Sequence, residues 1–174
     1  MNYCTYDSIL GVLTMVSDGE YLTGLFMDSQ QSNDFYTNMK FVENLPVFVD
    51  TKRWLDIYFS GKEPDFTPKI KTNGSPFRGE VWDILRKIPY GTTATYGEIA
   101  KEIAQNRGVE KISPQAVGGA VGSNPIGIII PCHRVVGANG NLTGYAGGLG
   151  NKIRLLTLEK ADTEKFFMPK VKKQ

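Results

Sequence analysis

The run Ile128-Ile129-Ile130-Pro131-Cys132-His133-Arg134-Val135-Val136 limits what this chain can fold into more than any other stretch. Its apolar flanks call for a buried backbone. Pro131 fixes its own φ and restricts Ile130, so the approach to Cys132 is stiff. The run also holds the only histidine of 174 residues and one of two cysteines. A thiol is a weak nucleophile until its pKa is lowered, and an adjacent imidazole can do that. A reactive atom on a rigid arm suits single-site chemistry. The plainer reading, a small buried hydrophobe beside a chance histidine, stays open on this run alone.

Two cysteines give no disulfide framework. Cys4 and Cys132 are read as free thiols in a reducing compartment. One histidine and two distant cysteines cannot supply the usual zinc ligand set, so no metal site is expected. The N-terminus has Asp7 before any basic residue and no long apolar run, so no signal peptide is read. No stretch approaches the ~20 apolar residues of a membrane span. These features predict a soluble, cytoplasmic protein with no membrane partner. Charge is uneven along the chain. Residues 1–75 carry 6 Lys and Arg against 10 Asp and Glu, residues 76–160 carry 10 against 6, and residues 161–174 carry 4 against 2. A polyanion would meet the second half, unless the two surfaces differ by chance.

The first half reads as α+β. Ile9–Ser17 and Glu20–Met27 are apolar-rich runs separated by Asp18-Gly19, a two-residue hairpin signal. Asp50–Ser60 reads as a short helix stopped by Gly61. Residues 61–75, with Pro64, Pro68, Asn73 and Gly74, form a linker, and the domain boundary is drawn there: 1–75 and 76–174. The second half reads as mainly helical. Ser75-Pro76 caps a helix that runs to Ile88. Thr95-Tyr96-Gly97-Glu98 is a capping box that opens a helix through Ala104. Ser113-Pro114 opens another, through Gly122, and Asn124-Pro125 cannot continue it. Asn139-Gly140 marks a tight turn. A last helix spans roughly Asn151–Lys160, with Ile153, Leu155, Leu156 and Leu158 facing a core. The tail from Ala161 to Gln174 is too short and polar to classify.

Tyr96–Ala104 and Pro114–Gly122 are consecutive helices with a joint longer than the ~3–4 residues of a usual helix-turn-helix. The second reads Gln115-Ala116-Val117-Gly118-Gly119-Ala120-Val121-Gly122. Each glycine costs about 1 kcal/mol of helix stability relative to alanine. Small residues instead allow close approach of another surface, either a protein helix or a nucleic-acid groove. An uncharged helix would read shape rather than hydrogen-bond to many bases.

Tyr96-Gly97-Glu98-Ile99-Ala100, Ala116-Val117-Gly118-Gly119-Ala120, Asn124-Pro125, Ile130-Pro131-Cys132-His133-Arg134-Val135, Gly144-Tyr145-Ala146-Gly147-Gly148 and Leu155-Leu156-Thr157-Leu158-Glu159 occur in that order. Over residues 76–160 this pattern resembles the 6-O-alkylguanine-DNA alkyltransferases, also called methylated-DNA–protein-cysteine methyltransferases. The resemblance implies an α+β protein: a small N-terminal domain with an antiparallel hairpin sheet, ribonuclease H-like, and a mainly helical, winged-helix-like C-terminal domain. It implies a monomer that binds duplex DNA by the minor groove and flips the damaged guanine into a pocket, since a stacked base is unreachable. It implies one transfer of the alkyl group to the protein's own thiolate, with no cofactor.

By the same resemblance, Cys132 is the nucleophile, His133 relays its proton through a water, and Glu159 holds the imidazole. Asn124 braces the turn, and Tyr96 donates to the purine. Tyr145, Ala146 and Gly147 line the pocket, where the carbonyls of Cys132 and Val135 receive the exocyclic amine. Gln115, Ala116, Gly118, Gly119 and Arg134 meet the DNA. Many members have arginine where Gln115 stands, filling the gap left by the extruded base, and many have serine in place of Ala146. Two other readings compete: a cysteine hydrolase, which needs an oxyanion hole and a second step, and a non-catalytic helix-turn-helix DNA-binding protein.

Overall fold

Short turns and helix caps set most of this fold, and they divide it into two units. The computed structural model describes residues 1–167, so positions 168–174 of the tail and of the expected second domain lie outside the described residues. One unit comprises Met1–Asn73 with Pro125–Ile129, and the other Gly74–Asn124 with the chain from Ile130 onward.

The first unit carries a sheet of β1 (Asn2–Ser8), β2 (Gly11–Ser17), β3 (Leu22–Met27) and β4 (Lys40–Phe41), in the order β3-β2-β1-β4. β1–β2 and β2–β3 are antiparallel, and β4 joins β1 in parallel. The two-residue hairpin expected at Asp18-Gly19 is not formed. Four residues separate Ser17 from Leu22, and Asp18 Oδ1 accepts the amides of Glu20 at 3.0 Å and Tyr21 at 2.8 Å. The acid's side chain builds a wider turn, and the register slips at Val16/Ser17. The tight turn lies instead at Ile9-Leu10, between the paired Ser8 and Gly11. There the Ser8 hydroxyl donates to the Gly11 carbonyl at 2.7 Å and accepts from the Leu10 amide at 3.0 Å. Gly11 supplies a φ of +96°.

Helix α1 (Pro46–Phe59) begins four residues before the expected start, with proline at its first position. It buries Val47, Phe48, Thr51, Trp54, Leu55 and Tyr58, a stripe at helical spacing, and packs across β1, β2 and β3. Pro125–Ile129 belongs to this unit because the Leu25 amide donates to the Pro125 carbonyl at 2.9 Å and the Gly127 amide to the Leu25 carbonyl at 3.1 Å.

The second unit carries α2 (Pro76–Leu85), β5 (Ala94–Thr95), α3 (Tyr96–Arg107), α4 (Pro114–Gly122), β6 (Val135–Val136) and α5 (Leu149–Leu158). Ser75 caps α2 through the Arg78 amide, Ser113 caps α4 through the Gln115 amide, and Thr95 forms a full capping box with Glu98. Each cap contributes about 1 kcal/mol. α2 ends at Leu85 rather than Ile88, although Ile88 stays buried through the turn that follows. Gly108 ends α3 in the left-handed conformation, at φ 65°. α2, α3 and α4 pack on one another, and the Trp82 indole donates to the Ala120 carbonyl at 2.9 Å. β5 and β6 pair in parallel, Ala94 with Val135 and Thr95 with Val136, which brings the first turn of α3 to the chain just after Cys132. The whole is the α+β architecture expected, with a sheet-bearing N-terminal part and a mainly helical remainder.

Candidate active site

Cys132 opens a 3-10 turn, Cys132–Arg134, that is buried throughout. Asn124 sits just beyond α4, and its amide nitrogen donates to the Ile130 carbonyl at 2.8 Å, so the approach to the cysteine is pinned from the side. The Asn124 side chain also hydrogen-bonds the thiol. Cys132 keeps 9% exposure. Burial pushes its thiol above the ordinary value, against the pull of Asn124, the Lys152 charge and nearby backbone amides. The resting sulfur is therefore a thiol. The His133 backbone amide adds to that pull, while its ring is engaged with Glu159.

His133 Nε2 lies 2.7 Å from Glu159 Oε1, both side chains fully buried. Burial lowers the His133 pKa, and the hydrogen bond it donates to Glu159 only partly restores it. Burial also disfavours the Glu159 carboxylate, but hydrogen bonds from His133 and Arg134 outweigh this and hold its pKa at about 2. A carboxylate can only accept, so Nε2 carries the proton and the neutral ring has its basic nitrogen at Nδ1. The Gly91 amide donates to Glu159 Oε2 at 3.2 Å. Gly91, which reads in the sequence as a helix stop, is required for close approach: at φ +74°, a Cβ there would come within 2.8 Å of the Glu159 carbonyl oxygen.

Arg134 does not fit the DNA contact expected of it. Its Nε donates to Glu159 Oε2 at 2.9 Å, Nη2 to Oε1 at 2.9 Å, and Nη1 to the Ile88 carbonyl at 2.7 Å. The side chain is 11% exposed. A buried carboxylate needs a buried partner, and that demand turns the guanidinium inward.

Tyr96 is half-buried, and its hydroxyl donates to the Thr143 carbonyl at 3.2 Å. Tyr145 is half-buried, Gly147 buried and Ala146 exposed. The loop is fastened to the start of α5 by the Asn151 amide on the Gly147 carbonyl at 3.0 Å and the Gly148 amide on the Tyr145 carbonyl at 2.9 Å. Burial, then the charge of Cys132, raises the pKa of Tyr96, and raises that of Tyr145 strongly, so both phenols stay protonated donors. Val135 is buried in β6.

The sequence reading missed Lys152. It is fully buried, and its Nζ donates to the Val135 carbonyl at 2.5 Å and the Thr143 carbonyl at 3.3 Å. Burial brings its pKa down to about 8. The signal was available: Lys152 stands three and four residues before Leu155 and Leu156, on the buried face of α5.

On α4, Gln115, Ala116 and Gly119 are exposed. A Cβ on Gly118 would rest 3.9 Å from the Tyr96 ring, and one on Gly119 would meet nothing within 4 Å. Nothing inside the protein requires glycine at 119. Among the described residues, no group of three or more His, Cys, Asp or Glu side chains could hold a metal ion, and no helix is long and apolar enough to cross a membrane.

Two family models match the chain. One, described as 6-O-methylguanine DNA methyltransferase, DNA binding domain, covers residues 76–161, and the other, the ribonuclease-like domain of the same family, covers residues 1–72. The chain is 42% identical over 160 residues to the methylated-DNA–protein-cysteine methyltransferase of Methanosarcina acetivorans, spanning 91% of this chain and 98% of that protein. It is 42% identical over 161 residues to the Haemophilus influenzae protein of the same name, spanning 91% and 86%. Among solved structures, Mycobacterium tuberculosis OGT in complex with DNA is similar at a TM-score of 0.81 and 40% identity, over 95% of this chain and 98% of that one.

Proposed function

The chain belongs to the 6-O-methylguanine DNA methyltransferase family, and from that premise we propose that it repairs DNA by direct reversal, moving the alkyl group of a 6-O-alkylguanine onto Cys132. The damaged base leaves the stack, at a cost of a few kcal/mol, and enters beside the sulfur. The Cys132 proton passes through a water to His133 Nδ1, and Glu159 stabilises the imidazolium that forms. The thiolate attacks the alkyl carbon. A carbon–sulfur bond forms, the carbon–oxygen bond breaks, and its electron pair moves into the purine. Tyr96 donates a proton toward the purine ring nitrogen as that charge appears.

Backbone at Tyr145, Ala146 and Gly147 faces the guanine oxygen, and the carbonyls of Cys132 and Val135 accept its exocyclic amine. Asn124 keeps the cysteine turn in place. The acceptor is the protein's own sulfur, so the transfer calls for no cofactor. A thioether is not readily hydrolysed, so each molecule acts once.

α4 is the element offered to the minor groove. Its exposed Gln115, Ala116 and Gly119 present little bulk, and Gly119 has no internal reason to be glycine. Gln115 holds the gap left by the extruded base with a neutral amide. Two free thiols fit action in the cytoplasm.

The observation that carries this reading is the buried Cys132, His133, Glu159 set inside the segment matched by the DNA-binding-domain model. The test is a duplex bearing one methylated guanine, incubated with the protein and digested. A gain of one methylene-equivalent mass is expected on the Cys132 peptide alone, with one transfer per molecule. Cys132→Ala should still bind the duplex and transfer nothing. An unmodified Cys132 with the lesion intact would reject the proposal, and repeated turnover of an activated ester would favour a cysteine hydrolase.

A further inference from the structure

The groups around Cys132 do not balance in charge. Arg134 and Glu159 neutralise each other through two guanidinium nitrogens. His133 is buried in a setting that disfavours its cation. Burial keeps Tyr96 and Tyr145 neutral phenols, and Asn124 is uncharged. Lys152 remains. Its ammonium is fully buried against two carbonyl dipoles, and no carboxylate lies within ion-pair distance of it among the described residues. Carbonyls satisfy the donors of an ammonium but do not cancel its charge, and a buried charge without a counter-charge is costly.

We infer that Lys152 is a positioning residue for the transfer, the counter-charge for the negative charge that appears first on the Cys132 sulfur and then on the departing purine. This deepens the alkyl-transfer reading and rests on it. The two observations that join Lys152 to the reaction are independent. Its charge acts on Cys132. Its two hydrogen bonds tie the Val135 carbonyl to that of Thr143, which also accepts the Tyr96 hydroxyl. In the resting protein the partners of this charge are the two carbonyls, and its counter-charge forms only when the thiol ionises. Lys152 is thus an example of preorganised stabilisation aimed at a charge not yet formed.

The experiment compares wild type, Lys152→Met and Lys152→Arg. Iodoacetamide labelling of Cys132 in the free protein and single-turnover transfer from a methylated duplex are both followed against pH. Near neutral pH, below the Lys152 pKa of about 8, Lys152→Met should lower the labelling rate about tenfold, the equivalent of about one pH unit, and the two profiles should converge at higher pH as the wild-type ammonium loses its proton. Transfer at neutral pH should slow by a comparable factor while duplex affinity is retained. Lys152→Arg, which keeps the charge, should restore the neutral-pH rate. A Lys152→Met protein with lowered melting temperature but an unchanged profile would reduce Lys152 to a structural tie and overturn the inference. If Lys152→Met does not fold, Lys152→Arg decides, since a neutral-pH rate lowered in that charged variant would equally overturn it. Failure of the wild type to accept the methyl group would be a different result, against the function itself.

Discussion

Among the described residues, the buried polar side chains of the N-terminal unit are Thr14, Ser17 and Thr51, whereas those of the C-terminal unit are Asn124, His133, Arg134, Lys152 and Glu159. The three hydroxyls are satisfied locally. Thr51 donates to the Val47 carbonyl one turn back at 2.7 Å, Ser17 accepts the Gly19 amide at 2.9 Å, and Thr14 shares a network with Tyr36 and Gln31. None of them carries charge, so hydrophobic burial can hold that unit together without a large desolvation cost. The second unit takes a guanidinium, an ammonium and a carboxylate out of water. Such groups contribute little net stability, because desolvation offsets their attraction. The contrast teaches where function lies: one unit is optimised for packing, and the other carries electrostatic cost at the place where charge must develop.

The largest test of this contrast is Arg134→Met. Removing one partner of a buried ion pair leaves Glu159 uncompensated and should cost about 3–5 kcal/mol in urea unfolding. Leu13→Ala, in β2 of the other unit, should cost a comparable ~2–5 kcal/mol by cavity formation, but with no dependence on pH. Full stability in Arg134→Met, with DNA affinity lost, would return Arg134 to the DNA contact first expected of it.

The next effect is on acid stability. The Glu159 pKa in the fold is about 2, below its ordinary 4.5, so its contribution is complete above pH 4.5 and is lost as pH falls toward 2. That loss is on the order of 3 kcal/mol. His133 acts in the same direction, since its folded pKa is lowered and the unfolded chain takes up its proton first as pH drops below 6.5. Trp54 lies in one unit and Trp82 in the other, and they are the only two tryptophans. Fluorescence of Trp54→Phe and Trp82→Phe variants can therefore follow each unit. Acid should weaken the unit reported by Trp82 first, and simultaneous loss would break the comparison.

The smallest effect is expected on α4. Gly119→Ala has open space for its methyl and should stabilise the helix by up to about 1 kcal/mol. The same methyl should weaken binding to a methylated duplex. Opposite signs in a melting experiment and a binding titration would place the reason for Gly119 in the groove. Unchanged binding would remove α4 from the interface.

Much of this molecule was legible because it is local. Ser75, Thr95 and Ser113 announce their helices, since a cap is made between residues two or three apart. The Cys132-His133 pair, its stiff approach and Asn124 could be picked out, and the ordered motifs around them pointed to the family. Other features left weaker traces. The polar strand β1 lacks a clean alternation, and the Ile9-Leu10 turn has apolar residues at both central positions. Its closure depends on the Ser8 side chain and the strand pairing beyond it.

The sequence by itself determined which atoms could react and which segments would be helical, because those properties belong to residues and their near neighbours. Only the tertiary structure decided that Arg134 faces a carboxylate 25 residues away and a carbonyl 46 residues away, that Gly91 closes on a residue 68 positions further on, and that Lys152 is buried on the carbonyls of Val135 and Thr143. The energy of a charged side chain depends on the dielectric and the counter-charges around it. Those are set by chain segments that meet only when the fold is complete.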